Sequence, residues 1–255
     1  MRTIKLIALH LILITNMPLM AANDYQEMAD NILADLVAIQ STEDMGLATQ
    51  ASEYSEQRLL KGGFNQNDLQ VVGPDKTNKG LIAIYRGQSA TNPTITMAHL
   101  DVVPSVISSW DTDPYTLTEK DGFFYGRGTS DNKSGATALI TNFIRLKKEG
   151  FVPKNDIIML LTADEETQMD GIEYFRDNFD SVRNAAFAMN SDGGYVTGTM
   201  ENPEAFLLQS AEKVYMTISL HTQNKGGHSS IPRKDNAIYD LARALKKLED
   251  FQFPI

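Results

Sequence analysis

A small set of residues in this chain carries side chains suited to chemistry and sits where structural roles alone would not concentrate them. His99 and Asp101 close the apolar run in TITMAHLDVVP, residues 94–104. Asp131 lies in GRGTSDNKSG, Glu165 and Glu166 follow IIMLLTAD, Asp192 follows AFAMNS, and His228 sits in NKGGHSSIP. In His99-Leu100-Asp101 the two polar side chains share one strand face. Asp101 can then accept one imidazole N–H and leave the other nitrogen for a metal ion. Glu165 and Glu166, adjacent on a strand end, are expected to point in different directions, so that one binds metal while the other holds a water as general base. Asp131, at the predicted start of a helix, offers two oxygens that suit a bridge between two cations. Imidazole with carboxylates favours zinc over magnesium, and Co2+ or Mn2+ would also suit.

Taken singly, each residue has a plain structural explanation. His99 could be a hydrogen-bonded core histidine, Asp131 a helix N-cap, Asp192 a turn aspartate before Gly193-Gly194. Their recurrence after apolar strand-like runs is what argues for one site, because open α/β sheets bind ligands outside the carboxyl ends of their strands. A phosphate loop is excluded: Lys133-Ser134 would require glycine at 127 and 132, where this chain has Arg127 and Asn132.

The elements that must position these residues are legible as an alternation. Asp24 is expected to cap a helix to about residue 41, with Met28, Ile32, Leu33, Leu36 and Val37 at helical spacing. A second helix fits residues 47–64 and stops at Gly62-Gly63. Strands are expected at 69–73, 81–87 and 94–100, and a turn-rich stretch spans 104–122. A helix from about Ser134 to Lys148 precedes DIIMLLTAD, a run apolar enough for a strand buried on both faces. GIEYFRDNF reads as a short helix and AAFAMNSDGG as another buried strand with a glycine turn. The fold class implied is α/β, with a sheet covered on both faces. After about residue 212 the pattern changes: VYMTISLHT alternates with period two, and a helix is expected over 236–248.

The 255 residues suffice for one large domain or for one domain and part of another. Arg2 and Lys5, the stretch LIALHLILIT and small residues at Ala21-Ala22 have the layout of a secretory signal peptide over residues 1–22, which implies a periplasmic or secreted product. The absence of cysteine rules out disulfides and a lipoprotein anchor. Without the leader, 21 Lys and Arg face 33 Asp and Glu, a net charge of −12 that argues against nucleic acid and anionic lipid as partners. The apolar run, short and interrupted by His10, Asn16 and Pro18, argues against stable membrane insertion once the leader is removed.

The motifs MAHLDVVP, DGFFYGRGTSDNKSG, TADEET, NSDGG and GGHSSIP, in this order, resemble those of the dinuclear-zinc exopeptidase family of glutamate carboxypeptidase, carboxypeptidase S, aminoacylase and succinyl-diaminopimelate desuccinylase. The resemblance implies a three-layer α/β/α catalytic domain over 23–212, with a mixed sheet, and the beginning of an α+β lid or dimerisation domain over 213–255. It implies two Zn2+ ions, with His99 and Asp192 on one, Glu166 on the other and Asp131 bridging them. Glu165 would be the general base, Asp101 would orient His99, and His228 in the lid would stabilise the tetrahedral oxyanion. The substrate implied is a peptide or an N-acyl amino acid, and a homodimer would form through the lid. Two features depart from the pattern: Asn132 stands where relatives commonly have Asp joined by a cis peptide, and Gln168 where glycine is common. The family's last zinc-ligand histidine lies in a later return segment, and this sequence offers no replacement. An inactive, truncated relative with a partial metal site is therefore the alternative expectation.

Overall fold

The computed structural model describes residues 19–199, 202–212 and 216–252. The expected leader falls mostly outside these residues. Two compact units are present, one ending at Leu208 and one beginning at Gln209, four residues before the expected boundary at 213.

In the first unit the chain runs α1 (Leu19–Ala38), α2 (Ala48–Lys61), β1 (Leu69–Val72), β2 (Gly80–Tyr85), β3 (Ser89–His99), β4 (Thr118–Lys120), β5 (Phe123–Tyr125), α3 (Lys133–Lys148), β6 (Asn155–Thr162), α4 (Asp170–Asn178), α5 (Asp180–Arg183), β7 (Phe187–Asn190), β8 (Tyr195–Gly198) and β9 (Pro203–Leu207). Helix α1 starts ahead of Asp24, so that residue lies within the helix rather than capping it, and the expected cleavage position near Ala22 falls in its first turns. None of the described helices is long and apolar enough to cross a membrane.

The main sheet has the order β1-β2-β6-β3-β7. Strand β6 inserts between β2 and β3, antiparallel to the first and parallel to the second. β7 extends the parallel part beside β3. The apolar run of β6 explains its central place, since alternate residues must be buried on opposite faces. Met159 and Leu161 face one cluster with α1, α2 and α3, including Ile32, Leu36, Leu59, Ile140 and Phe143. Ile158 and Leu160 face the other, with Ile82, Ile95 and Phe175 of α4. Helices thus cover both sides of a mixed sheet, as the sequence pattern requires.

Three expectations are corrected. β7 is not buried: it pairs only with β3 at the sheet edge, and Phe187 and Met189 stand more than half exposed. Apolar composition alone cannot distinguish an edge strand from a central one. The stretch 104–122 contains part of a hairpin, β4–β5, and a second hairpin, β8–β9, follows β7; both have short strands with weak patterns. In the second unit, residues 216–222 form no strand, because a strand exists only with a hydrogen-bonding neighbour and no described segment pairs with it. The expected helix there is α6 (Ala237–Glu249), capped by the Asn236 side chain, which accepts the Ile238 N–H at 2.9 Å.

Phe175 closes the second face directly over the sheet. A Cβ at Gly80 would lie 2.4 Å from the Leu161 carbonyl oxygen and 2.9 Å from the Phe175 ring, so glycine is what lets the ring approach the strand. Phe175→Ala should destabilise the first unit by about 3–5 kcal/mol, read as a lower urea midpoint with an unchanged slope.

Candidate metal centre

The parallel strands fix where the reactive side chains meet. In the β3–β6 ladder His99 is opposite Thr162, and in the β3–β7 ladder Met97 is opposite Asn190. All three strands therefore end at the same edge. The turn after β6 carries Glu165 and Glu166, Asp192 follows β7, and Asp131 lies two residues before α3, separated from it by the N-cap Asn132.

His99 is the centre of this edge and is 2 % exposed. Its Nδ1 lies 3.0 Å from the Asp101 backbone carbonyl oxygen, which makes Nδ1 the protonated nitrogen. The Asp101 carboxylate, the partner expected from the sequence, is farther, with Oδ1 at 3.5 Å. Its Oδ2 instead accepts the Glu166 backbone N–H at 2.8 Å and ties the end of β3 to the turn after β6. The chain leaves the strand at His99, so the face-sharing geometry expected at 99 and 101 no longer applies there. The opposite nitrogen, Nε2, faces the Asp131 Oδ1 at 2.7 Å and the Asp192 Oδ2 at 3.8 Å.

Among the described residues, two groups have potential ligand atoms that lie within 4.8 Å of one another: His99 with Asp131 and Asp192, and His99 with Glu165 and Glu166. The two glutamates were expected to diverge as neighbours on a strand. They converge because β6 stops at Thr162 and both sit in the following turn. One imidazole with carboxylate oxygens is a donor set that suits Zn2+, and the close packing of four acids leaves negative charge that a cation would neutralise. His228 lies in the second unit, exposed, with Nδ1 2.8 Å from the Ser230 hydroxyl and 3.3 Å from the Ser230 N–H.

The electrostatics follow from burial and crowding. Burial acts to lower the His99 pKa, but Asp101, Asp192 and Asp131 outweigh it and raise it to about 9. Glu165 and Glu166 are both pushed above the ordinary range, first by burial and then by neighbouring carboxylates, while His99 opposes the shift.

Sequence reasoning passed over several residues that pack around these candidate ligands. Asp164 is buried, accepts the Gly171 N–H at 2.8 Å, and has its pKa raised chiefly by burial. Ser191 donates its hydroxyl to the Met97 carbonyl at 3.1 Å and lies 3.4 Å from the Asn132 Oδ1, joining the end of β7 to the start of α3. The Asp131–Asn132 peptide is cis. Lys133 is wholly buried, and its burial lowers its pKa to about 7 against the pull of Asp101. A lysine two residues after a candidate ligand, in a segment otherwise polar, was the available signal.

The mixed sheet, covered by helices on both faces, carries a candidate metal site at the carboxyl edge of its parallel strands. The chain belongs to the peptidase family M20/M25/M40, whose pattern it matches over residues 95–248. It is 31 % identical over 179 residues to the human N-fatty-acyl-amino acid synthase/hydrolase PM20D1, covering 69 % of this chain and 36 % of that protein. It is 29 % identical over 215 residues to a probable succinyl-diaminopimelate desuccinylase of Staphylococcus aureus, covering 82 % of this chain and 48 % of that one. The chain thus spans about a third to a half of the length of these relatives. Human carnosine dipeptidase 1 shares the fold, with a TM-score of 0.58 at 22 % identity over 70 % of this chain and 41 % of that one. A family M20 metallo-carboxypeptidase of Sulfolobus solfataricus gives a TM-score of 0.57 at 19 % identity over 65 % of this chain and 37 % of that one.

The metal-free protein should show the charge imbalance as a pH dependence. A histidine raised from 6.5 to about 9 contributes stability that is complete below pH 6.5 and lost as pH rises through 9. The urea midpoint of metal-free protein should fall across that interval, and His99→Asn should flatten the fall.

Proposed function

We propose that this chain carries the metal site of an M20-family amide hydrolase that cleaves a peptide or N-acyl amino acid bond with a metal-activated water. The observation that carries this reading is the meeting of His99 Nε2 with oxygens of Asp131 and Asp192, beside Glu165 and Glu166, at one sheet edge. The relatives named as an N-fatty-acyl-amino acid synthase/hydrolase and a succinyl-diaminopimelate desuccinylase support an N-acyl amide as the bond. His99 and Asp192 would hold one cation and Glu166 a second, with Asp131 between them. When bound, divalent zinc polarises the amide carbonyl and lowers the pKa of water.

The chain's own groups then divide the proton work. Glu165 takes a proton from the attacking water and delivers it to the leaving nitrogen. Its raised pKa, caused first by burial, brings it closer to the value a base that must also act as an acid requires. The Asp101 backbone carbonyl holds the His99 ring so that Nε2 is the nitrogen turned toward Asp131 and Asp192. His228, in the second unit, accepts at Nδ1 from the Ser230 N–H at 3.3 Å, and the oxyanion role proposed for it is the one the family resemblance implies. We propose further that residues 1–22 direct export and that residues 213–255 belong to a lid or dimerisation domain.

A second reading has its own observation. Both ligand sets use the same imidazole, His99, so the described residues supply one histidine for two cation positions. On that reading the chain holds a single ion and turns over nothing. Zn2+ titration by calorimetry separates the two: two tight ions per chain support the dinuclear hydrolase, and one weak ion without turnover supports the inactive form. With dipeptides and N-acyl amino acids as substrates, the hydrolase should lose activity to a chelator and regain it with Zn2+. Glu165→Ala should lower kcat about 10²–10⁴-fold with metal content unchanged, and undiminished turnover would remove its role as base.

A further inference from the structure

Lys133 is fully buried, which requires partners for its ammonium group. Nζ donates to the Leu36 carbonyl at 2.8 Å and the Ile39 carbonyl at 2.7 Å. Leu36 lies in the last turn of α1 and Ile39 just beyond it, where the helix dipole is negative; each carbonyl also accepts a backbone N–H, from Ile39 and Ser41 respectively, so the ammonium takes their second lone pairs. The stem of Lys133 runs against Gly128, whose φ is +93° and where a Cβ would lie 2.7 Å from the Lys133 Cδ. The Lys133 backbone N–H returns to the Gly128 carbonyl at 3.0 Å. The segment just before and including Asp131 is thus wrapped on this side chain.

The same turn of chain is fastened on its other side to the His99 segment. Ser41, also fully buried, donates its hydroxyl to the Leu100 carbonyl at 2.6 Å, and the Val102 N–H donates to the Ser41 carbonyl at 3.1 Å. Residues 36–41 therefore hold the strand end that carries His99 and the helix start that carries Asp131, although the two are 32 positions apart in the chain.

We infer that the turn leaving α1 is a clasp that sets the separation of His99 and Asp131, with Lys133 and Ser41 as positioning residues for the metal site. This rests on the metal-hydrolase reading. Neither side chain touches an ion; each acts through the backbone it pins.

Cobalt tests the clasp, because its visible absorption reports coordination geometry without any need for turnover. Co2+ is titrated into the wild-type chain, Lys133→Met, Ser41→Ala and, as a control for lost stability alone, Phe175→Ala. Lys133→Met and Ser41→Ala should each raise the Co2+ dissociation constant roughly tenfold or more and alter the absorption bands. Phe175→Ala, kept folded at low temperature, should leave both unchanged. Wild-type affinity and bands in folded Lys133→Met and Ser41→Ala overturn the clasp alone. Should Lys133→Met fail to fold, Ser41→Ala decides by the same readings. A wild-type chain that binds no Co2+ removes the metal reading and the clasp together.

Discussion

The repulsion among carboxylates gathered around one buried imidazole is the constraint to which the rest of the first unit answers. Asp101, Asp131, Glu165, Glu166 and Asp192 all act on one another or on His99 electrostatically. Left to itself such a cluster would spread into water. It stays together because each acid is carried on a backbone fixed elsewhere: β3 and β6 lie in parallel register, Asp101 accepts from the Glu166 N–H, and Ser191 binds back to Met97. The stability to hold this arrangement comes from apolar burial on both faces of the sheet.

This separation of roles explains how the site can be both acidic and ordered. The two core clusters are aliphatic and aromatic, and the candidate ligands lie where the parallel strands stop. His99 is the junction, buried like a core residue yet with one nitrogen facing the carboxylates. The backbone carbonyl of Asp101 fixes which nitrogen that is, a task independent of the protonation state of any side chain.

Much of this was readable in the sequence because periodicity and strand ends leave strong marks. The run 156–164 revealed a central strand, and the recurrence of acids after apolar runs revealed the edge. What escaped was set by neighbours far away in the chain. β7 has the composition of a core strand and the position of an edge one. Glu165 and Glu166 converge because the strand ended earlier than alternation implied. VYMTISLHT has the pattern of a strand with no described segment to pair with. Lys133 looked like part of a near-miss phosphate loop, and only the fold shows that it reaches carbonyls 94 and 97 positions away.

The excursion from Leu100 to Ser130 leaves the sheet at one pinned point and returns at another. Its hairpin β4–β5 presents Phe123, Phe124 and Tyr125 to solvent. A segment anchored at both ends can lengthen, shorten or change its surface without shifting its anchors. The architecture thus uncouples the anchored strand ends from a stretch of surface that is free to vary.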